Sequence, residues 1–394
     1  MSKNYTYVLS FRFPSSKAHS IYVAQSCEAA RKNGLQTTLV VPKFANLPKT
    51  DNTFWKDQLI PKPINIIRLL GFDPAGTAFI HRLLTKRFVY QISTLFFSLQ
   101  AVVWLLYKRP TVVQTGNPEL VLLLNLVHLI YKPSIVLDFH IDPPRWINSS
   151  TTKNLDLVVV NAQSFKDQLV KQRVDSSKIE VMPNGVNIQG YQKVKTDSLL
   201  DKLNISRSSF VVSYIGRFET MQKEKGIYKM LDALAILVKT HPQKDIIGLI
   251  VGGPKKYIKL YKKYAQKIGL SETYLRFVDQ VPYNQVPRYI SISSVGWLVY
   301  PRVPHFIDNM SPMKLMEYSA AGKSLICSDF PSLKNMISND LVSFVNPDSS
   351  KEQVVALETY LLKKDTKGAD RQSFANQWTW EKRQQKIFEK VGII

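Results

Sequence analysis

The stretch SPMKLMEYSAAGKSLICSD, Ser311 to Asp329, reads as a short helix followed at once by a buried strand, the step from which α/β folds are built. Ser311 is the residue type that caps a helix, its hydroxyl accepting from the free amides of the first turn. Pro312 suits the first helical position, where its missing N–H is not needed. Gly322 supplies a left-handed stop. The pattern therefore predicts a helix over Pro312–Ala321 and a strand in SLICSD. The helix tip favours negative charge through its unpaired amides and dipole, and Lys314 adds a cation in the first turn. Glu317 repels phosphate but accepts hydrogen bonds from sugar hydroxyls. A ligand with phosphates at one end and hydroxyls nearby, a nucleotide or a nucleotide sugar, satisfies both. Ser-Pro also opens many helices that bind nothing, so the stretch needs support from elsewhere in the chain.

Outward from this stretch, apolar strands and helical patterns alternate. The second half carries FVVSYIG, DIIGLIVGG, LRFVDQV, VGWLVYP, SLICSD and VSFVNP; the first carries YTYVLSF, QTTLVVP, TVVQTG, SIVLDFH and LDLVVVNA. This order predicts an α/β chain of two Rossmann-like doubly wound domains facing across a cleft. The expected boundaries are 1–195 for the first domain, joined by a terminal helix at about 375–394, and 205–374 for the second. MPNGVN (Met182–Asn187) is a strong turn, and the polar run Gln192–Ser209 reads as the interdomain link.

Composition narrows the class. With 45% hydrophobic and 21% charged residues the chain is globular, and 394 residues exceed one ordinary core. Cys27 and Cys327 are far apart and lack metal-ligand spacing, so a reducing compartment is expected, without a disulfide framework. A strand begins almost at the first residue, and the expected location is the cytoplasm, peripheral at the cytoplasmic membrane face. The net charge of +23 calls for an anionic partner. Between Gln58 and Pro118 the only acid is Asp73, against seven Lys and Arg mixed with bulky apolar residues. Such a basic, apolar surface suits anionic lipid better than nucleic acid, for which the cleft motifs would have no use. FVYQISTLFFSLQAVVWLLY (Phe88–Tyr107) has the length of a membrane span. Arg87, Gln91, Thr94 and Ser98 recur at helical spacing as a polar stripe, so a core or interfacial helix is expected instead.

Other candidate residues fall at strand ends, where ligands of such sheets sit. GRFETMQKEKG places Gly216, Arg217 and Lys225 after one strand; two cations there can clamp a diphosphate and stabilise it as a bond to it breaks. Gly252 and Gly253 in VGGP permit close backbone approach to a ligand. DFHIDPP brings Asp138, His140 and Asp142 to a strand end in the first domain, where His140 can position a hydroxyl or shuttle a proton. Ser15, Ser16 and Lys17, in the loop FRFPSSKAH, offer amides, hydroxyls and charge to an anion. No G-x-G-x-x-G, P-loop, H-E-x-x-H, G-x-S-x-G or paired C-x-x-C occurs, so dinucleotide redox, nucleotide hydrolysis, zinc hydrolysis and serine esterase chemistry have no motif to rest on.

Taken in order, these pieces resemble the retaining glycosyltransferases of family four, with the GT-B fold. AHSIYVAQSCEAARKNGLQTTLVVP is similar to the family's first helix and second strand, VMPNGVN to its domain-end turn, and GRFETMQKEKG to its phosphate loop. SPMKLMEYSAAGKSLICSD resembles its donor-site helix and WTWEKRQQKIF the helix that crosses back onto the first domain. The resemblance implies that Arg217 and Lys225 hold the donor diphosphate, with the amides of Met313, Lys314 and Leu315 beside it at the Ser311-Pro312 tip. It implies that Glu317 binds the ribose, that the backbone at Val281 reads the base, and that His140 lies near the transferred sugar. Two positions depart from the pattern: Ser15-Ser16-Lys17 replaces the family's glycine-rich first loop, and Asn309 stands where its motif has a first glutamate, which touches sugar hydroxyls, as an amide can still do. The implied reaction is hexosyl transfer with retention, without metal or cofactor, from a nucleotide-diphosphate sugar to a glycan or lipid-linked acceptor in cell-surface polysaccharide synthesis. Two other readings share the fold, a sugar-nucleotide epimerase and a non-catalytic sugar-nucleotide-binding subunit.

Overall fold

A computed structural model describes residues 3–15, 18–45, 47–71, 86–192, 194–363 and 365–394. The chain divides into two compact units, Met1–Pro183 with Trp380–Ile394, and Asn184–Thr379.

Unit 1 alternates strand and helix from the start. Its order is β1 (Asn4–Val8), α1 (Ala18–Lys32), β2 (Gln36–Lys43), α2 (Asn52–Asp57), β3 (Asn65–Leu70) and α3 (Lys86–Lys108). There follow β4 (Val112–Thr115), α4 (Pro118–Ile130), β5 (Ser134–Phe139), β6 (Leu157–Val160), α5 (Gln163–Lys171) and β7 (Ile179–Val181). Among the described residues these strands form one parallel seven-stranded sheet in the order β3-β2-β1-β4-β5-β6-β7. The central strands β4, β5 and β6 are almost wholly buried because helices cover both faces, whereas edge strand β3 stays part-exposed. Val8, Val113, Ile135 and Leu137 meet Phe97, Leu105, Leu124 and Phe165 from the covering helices.

Unit 2 continues with α6 (Asp197–Leu203), β8 (Phe210–Arg217), the hairpin strands β9 (Glu219–Thr220) and β10 (Lys223–Glu224), α7 (Ile227–Thr240) and β11 (Ile246–Gly253). Then come α8 (Lys256–Lys267), β12 (Leu275–Val278), α9 (Val286–Ser291), β13 (Val295–Leu298), α10 (Pro304–Asp308) and α11 (Met313–Ala320). It ends with β14 (Ser324–Ser328), α12 (Pro331–Lys334), β15 (Ser343–Val345), α13 (Ser350–Leu362) and α14 (Gly368–Asn376). Its main sheet is six-stranded and parallel, in the order β12-β11-β8-β13-β14-β15. Polar Gln192–Ser209 is not a plain link: it contains α6, whose Leu199 and Leu200 are buried. The division between units falls earlier, just before Asn184.

The last helix, α15 (Trp380–Lys390), packs on α1 within unit 1. Arg383 fixes it there. Its guanidinium reaches the buried carboxylate of Asp138, at the end of β5, with both contacts at 3.1 Å, and donates to the Pro183 carbonyl at 3.0 Å and the Tyr22 hydroxyl at 2.8 Å.

In both sheets the strand order reverses direction once, between β1 and β4 and between β8 and β13. At such a reversal the loops on either side diverge and leave a crevice at the carboxyl edge. Arg217 ends β8, so topology alone puts it at the reversal of unit 2.

Candidate functional site

The loop after β8 is built around a carboxylate. Glu224 accepts from the amides of Gly226 and Ile227 at 2.7 Å each and from the Tyr261 hydroxyl at 3.0 Å. It thereby satisfies the first amides of α7, which would otherwise attract an anion. The positive character of the loop falls to side chains instead. Arg217 is exposed, while Lys225, next to Glu224, is half-buried, and its amide donates to the Phe218 carbonyl at 3.0 Å. Gly226 follows with φ +84°, so close to the Val299 carbonyl that a Cβ would stand 2.0 Å from its oxygen. No other residue fits there, and the tight approach sets where Lys225 sits.

A third cation joins them. The Lys314 stem packs over Gly216, its Cε 3.6 Å from where a Cβ would be. Burial first, then the Arg217 and Lys314 charges, lower the Lys225 ammonium to about 8. Burial and the Lys225 charge likewise hold His305 below the ordinary histidine value. Of the three, Lys314 is paired with Glu317, whereas among the described residues Arg217 and Lys225 form no ion pair, so the group keeps a positive excess that favours an anion.

Behind Lys314 lies Glu317, only 1% exposed. One carboxylate oxygen, Oε2, pairs with the Lys314 ammonium; the other, Oε1, has no hydrogen-bond partner among the described residues. The phenols of Tyr191 and Tyr283 lie near it, both buried and both likewise unpartnered. Burial and then the Glu317 charge push both phenols well above the ordinary tyrosine value. Each phenol also leans its proton toward the Glu317 carboxylate, which adds to the shift, so the three groups form a loosely closed buried set in which Oε1 lacks a well-formed bond.

Three details of the helix tip correct the expectation. Helix α11 begins at Met313, with Pro312 as its cap residue. Ser311 does not cap it: its hydroxyl accepts from the Asn184 amide at 3.1 Å, and its carbonyl accepts from the Asn184 side chain at 2.6 Å. Ser311 is spent on tying the turn that opens unit 2 to the approach of the helix. The Leu315 amide is also taken, donating to the Pro312 carbonyl at 3.0 Å, whereas among the described residues those of Met313 and Lys314 have no acceptor. Two amides, not three, remain for an anion.

The other candidates are distributed as follows. Gly252, at the end of β11 with φ +148°, makes its close approach to the chain itself, since a Cβ there would sit 1.8 Å from the Gly216 oxygen. Its role is to bring β11 against β8, not to admit a ligand. Gly253 has ordinary room, and its carbonyl accepts from Phe218 at 2.8 Å. Val281 is half-buried just before the turn that carries Tyr283, and half-buried Asn309 ends α10. In unit 1, His140 is half-buried after β5, with Nε2 3.3 Å from Asp138 Oδ1 but not aligned for a hydrogen bond, and its ring 4.1 Å edge-on to Tyr22. Burial works against the Asp138 charge, but Arg383 and His140 overcome it and hold the carboxyl well below its usual range. Asp142 is exposed. Ser15 folds back on its own loop, its amide donating to Ser20 Oγ at 2.9 Å, and Ser16 and Lys17 lie outside the described residues. Two surface cavities of unit 2, of about 260 and 450 Å³, are lined by none of these residues.

Arg217, Lys225, Lys314 and Glu317 are therefore brought together; Gly252 and Ser311 serve the scaffold. Tyr191, Tyr283 and His305 escape sequence reasoning, because nothing in NGVNIQGY, VPYN or PRVPHF points a side chain at a residue so far along the chain.

Known proteins share both halves of this chain. The family described as Glycosyl transferases group 1 matches residues 195–378, and Glycosyltransferase Family 4 matches residues 19–189. A D-inositol 3-phosphate glycosyltransferase of Corynebacterium glutamicum (strain R) is 25% identical over 182 residues, 44% of this chain and 41% of that protein. The UDP-Gal:alpha-D-GlcNAc-diphosphoundecaprenol alpha-1,3-galactosyltransferase of Escherichia coli is 22% identical over 204 residues, 51% of this chain and 50% of that protein. The chain thus spans half or less of the length of these relatives. The crystal structure of Anabaena HepE in complex with UDP superposes with a TM-score of 0.70 at 15% identity, covering 99% of this chain and 100% of that one, a likeness of fold.

Proposed function

Because this chain belongs to the group 1 glycosyltransferases of family four and has their GT-B fold, we propose that it moves a sugar from a nucleotide-diphosphate sugar to a glycan or lipid-linked acceptor. One observation carries the reading. A buried carboxylate with an unpartnered oxygen, Glu317, stands directly behind a cluster of three cations, Arg217, Lys225 and Lys314. Diphosphate and ribose hydroxyls need those two environments side by side. The E. coli relative, which uses UDP-Gal and a diphosphoundecaprenol acceptor, supports the donor and acceptor classes. The reaction then belongs in the cytoplasm, in assembly of cell-surface polysaccharide.

In this reading the diphosphate lies between Arg217 and Lys225 on one side and the free amides of Met313 and Lys314 on the other. Glu317 Oε1 accepts from the ribose, and the Asn309 amide meets sugar hydroxyls. The acceptor hydroxyl attacks the anomeric carbon from the face the diphosphate leaves. The carbon–oxygen bond to phosphate breaks with its electron pair on the phosphate oxygen, which takes the acceptor's proton, so configuration is retained. The three cations carry the charge that develops on the leaving group, without a resident metal.

Replacing Arg217 with alanine tests this. Transfer should fall about 10²–10³-fold with the melting temperature unchanged, since the side chain is exposed. Near-full turnover in that variant would remove the clamp. Thermal-shift measurements across a panel of sugar nucleotides identify the donor, and the anomeric coupling of the product by NMR tests retention.

A further inference from the structure

Helix α3 turns its more polar face inward. Ser93, Thr94 and Ser98 are buried toward the sheet together with Phe97, Ala101 and Leu105. Ile92, Leu95, Phe96, Leu99, Val103 and Tyr107 point outward, between 44% and 76% exposed. Of the polar stripe legible in the sequence, Thr94 and Ser98 lie on the packed side and Gln91 is exposed, while the Arg87 side chain lies outside those described. Helix α4 packs along α3 and extends the same face with Leu122, Leu126, Leu129 and Ile130, each at least half exposed. A helix on a soluble protein has the reverse arrangement, and a continuous apolar patch of this size marks an interaction surface.

The helix is long and apolar enough to cross a bilayer, yet it is fastened to the sheet. The Gln100 side chain bonds both backbone groups of Leu70, at 2.9 and 3.1 Å, at the end of edge strand β3. Crossing would strip this contact, place three hydroxyls in hydrocarbon and uncover the core beneath. The face can only lie flat.

Charge selects the occupant. Exposed Lys108 and Arg109 close α3, exposed Lys132 follows α4, and Glu119 is the only acid in the two helices. The Lys108 ammonium stands 4.6 Å over the Tyr107 ring, the pairing of an aromatic body with a cationic head that suits a headgroup boundary. A second copy would set these cations against their own equivalents, in a chain of net charge +23. We infer that the α3–α4 face docks on an anionic lipid bilayer in the plane of the interface, its apolar side chains among the acyl chains and Lys108, Arg109 and Lys132 at the phosphates. This holds whatever reaction unit 2 performs.

Flotation of the full chain with vesicles tests it. With about one third phosphatidylglycerol in phosphatidylcholine the protein should float, and with phosphatidylcholine alone binding should fall at least about tenfold. The double variant L99D/V103D should lose binding by a similar factor or more, K108E/R109E should lose the preference for anionic vesicles, and both should keep the wild-type circular dichroism and melting temperature. Binding of UDP or GDP, read by calorimetry, should be the same in all forms, which separates failure of the docking face from failure of the transferase reading. Wild type that stays with the unbound fraction, or L99D/V103D that floats unchanged, overturns the proposal. So does a dimer in solution that L99D/V103D dissolves, which would make the occupant a second copy, or protein that resists alkaline carbonate extraction, which would make α3 a span.

Discussion

Asp138 and Glu317 are both carboxylates sealed from solvent, one in each unit, and the protein treats them in opposite ways. Around Asp138 every need is met: Arg383 holds both oxygens, the Gln114 amide donates at 2.8 Å, and Tyr22 donates as well. The Gln114 carbonyl oxygen is in turn held by Tyr5 at 2.9 Å and Gln384 at 2.8 Å. Around Glu317 one oxygen is paired with Lys314, and the other has only the loose approach of two buried phenols. A satisfied buried network rigidifies; an incomplete one costs free energy until something arrives. Asp138 holds α15 in place, whereas Glu317 keeps an oxygen short of a partner beside the cations of unit 2, as the proposed ribose contact requires.

Substitutions can break this contrast, and the largest effect belongs to the scaffold. Asp138→Ala leaves Arg383 buried without its counter-charge, which should cost about 3–5 kcal/mol of stability and lower the melting temperature by roughly 10 °C. Calorimetry should find nucleoside diphosphate affinity unchanged, because the residues proposed to hold the diphosphate belong to unit 2. Glu317→Gln should do the reverse, weakening the nucleotide by about 10–100-fold for the loss of one charge-assisted hydrogen bond while moving stability by less than about 1 kcal/mol. If Glu317→Gln unfolds the protein and leaves affinity alone, the two acids are equivalent and the contrast is void.

Acidity sharpens the same comparison. Burial and the Arg217 and Lys314 charges lower Lys225 to about 8, and a bound diphosphate would favour its charged form and raise that value. Below pH 8 the lysine is protonated with or without ligand, so affinity is flat. Above pH 8 the complex holds a proton that the free protein has lost, so affinity should fall, by at most about tenfold per pH unit for one proton. Lys225→Arg, which cannot lose its proton, should flatten the decline between pH 8 and 9 in a calorimetric titration. The smallest effect expected is that of Tyr191→Phe. Deleting a buried hydroxyl that only loosely approaches Glu317 should move stability by less than about 1 kcal/mol in chemical denaturation, with nucleotide affinity changed only a few-fold. A larger loss of stability there would mean that the hydroxyl has a partner in solution.

Much of this could be read from local pattern. The alternation of apolar strands with amphipathic helices marks two parallel sheets, because a strand buried on both faces must be apolar throughout, and that requirement is written in consecutive residues. The loop carrying Arg217 and Lys225 and the helix carrying Lys314 and Glu317 are contiguous motifs, and chemistry was visible in each. Ser311 shows where local reading stops. The sequence beside it describes a cap, yet its hydroxyl is claimed by Asn184, a residue that only folding brings near. Gly252 was legible as a place of close approach, but what approaches it is the next strand.

By itself, then, the sequence determined the fold class and the cationic and acidic motifs, since periodicity and turn chemistry act within a few residues of one another. Only the tertiary structure decided that Asp138 is satisfied and Glu317 left incomplete, which tyrosines surround Glu317, and which way α3 turns Ser93, Thr94 and Ser98. Those are questions of partners far apart in the chain, and burial free energy is set by the partner a group finds and not by its neighbours in sequence.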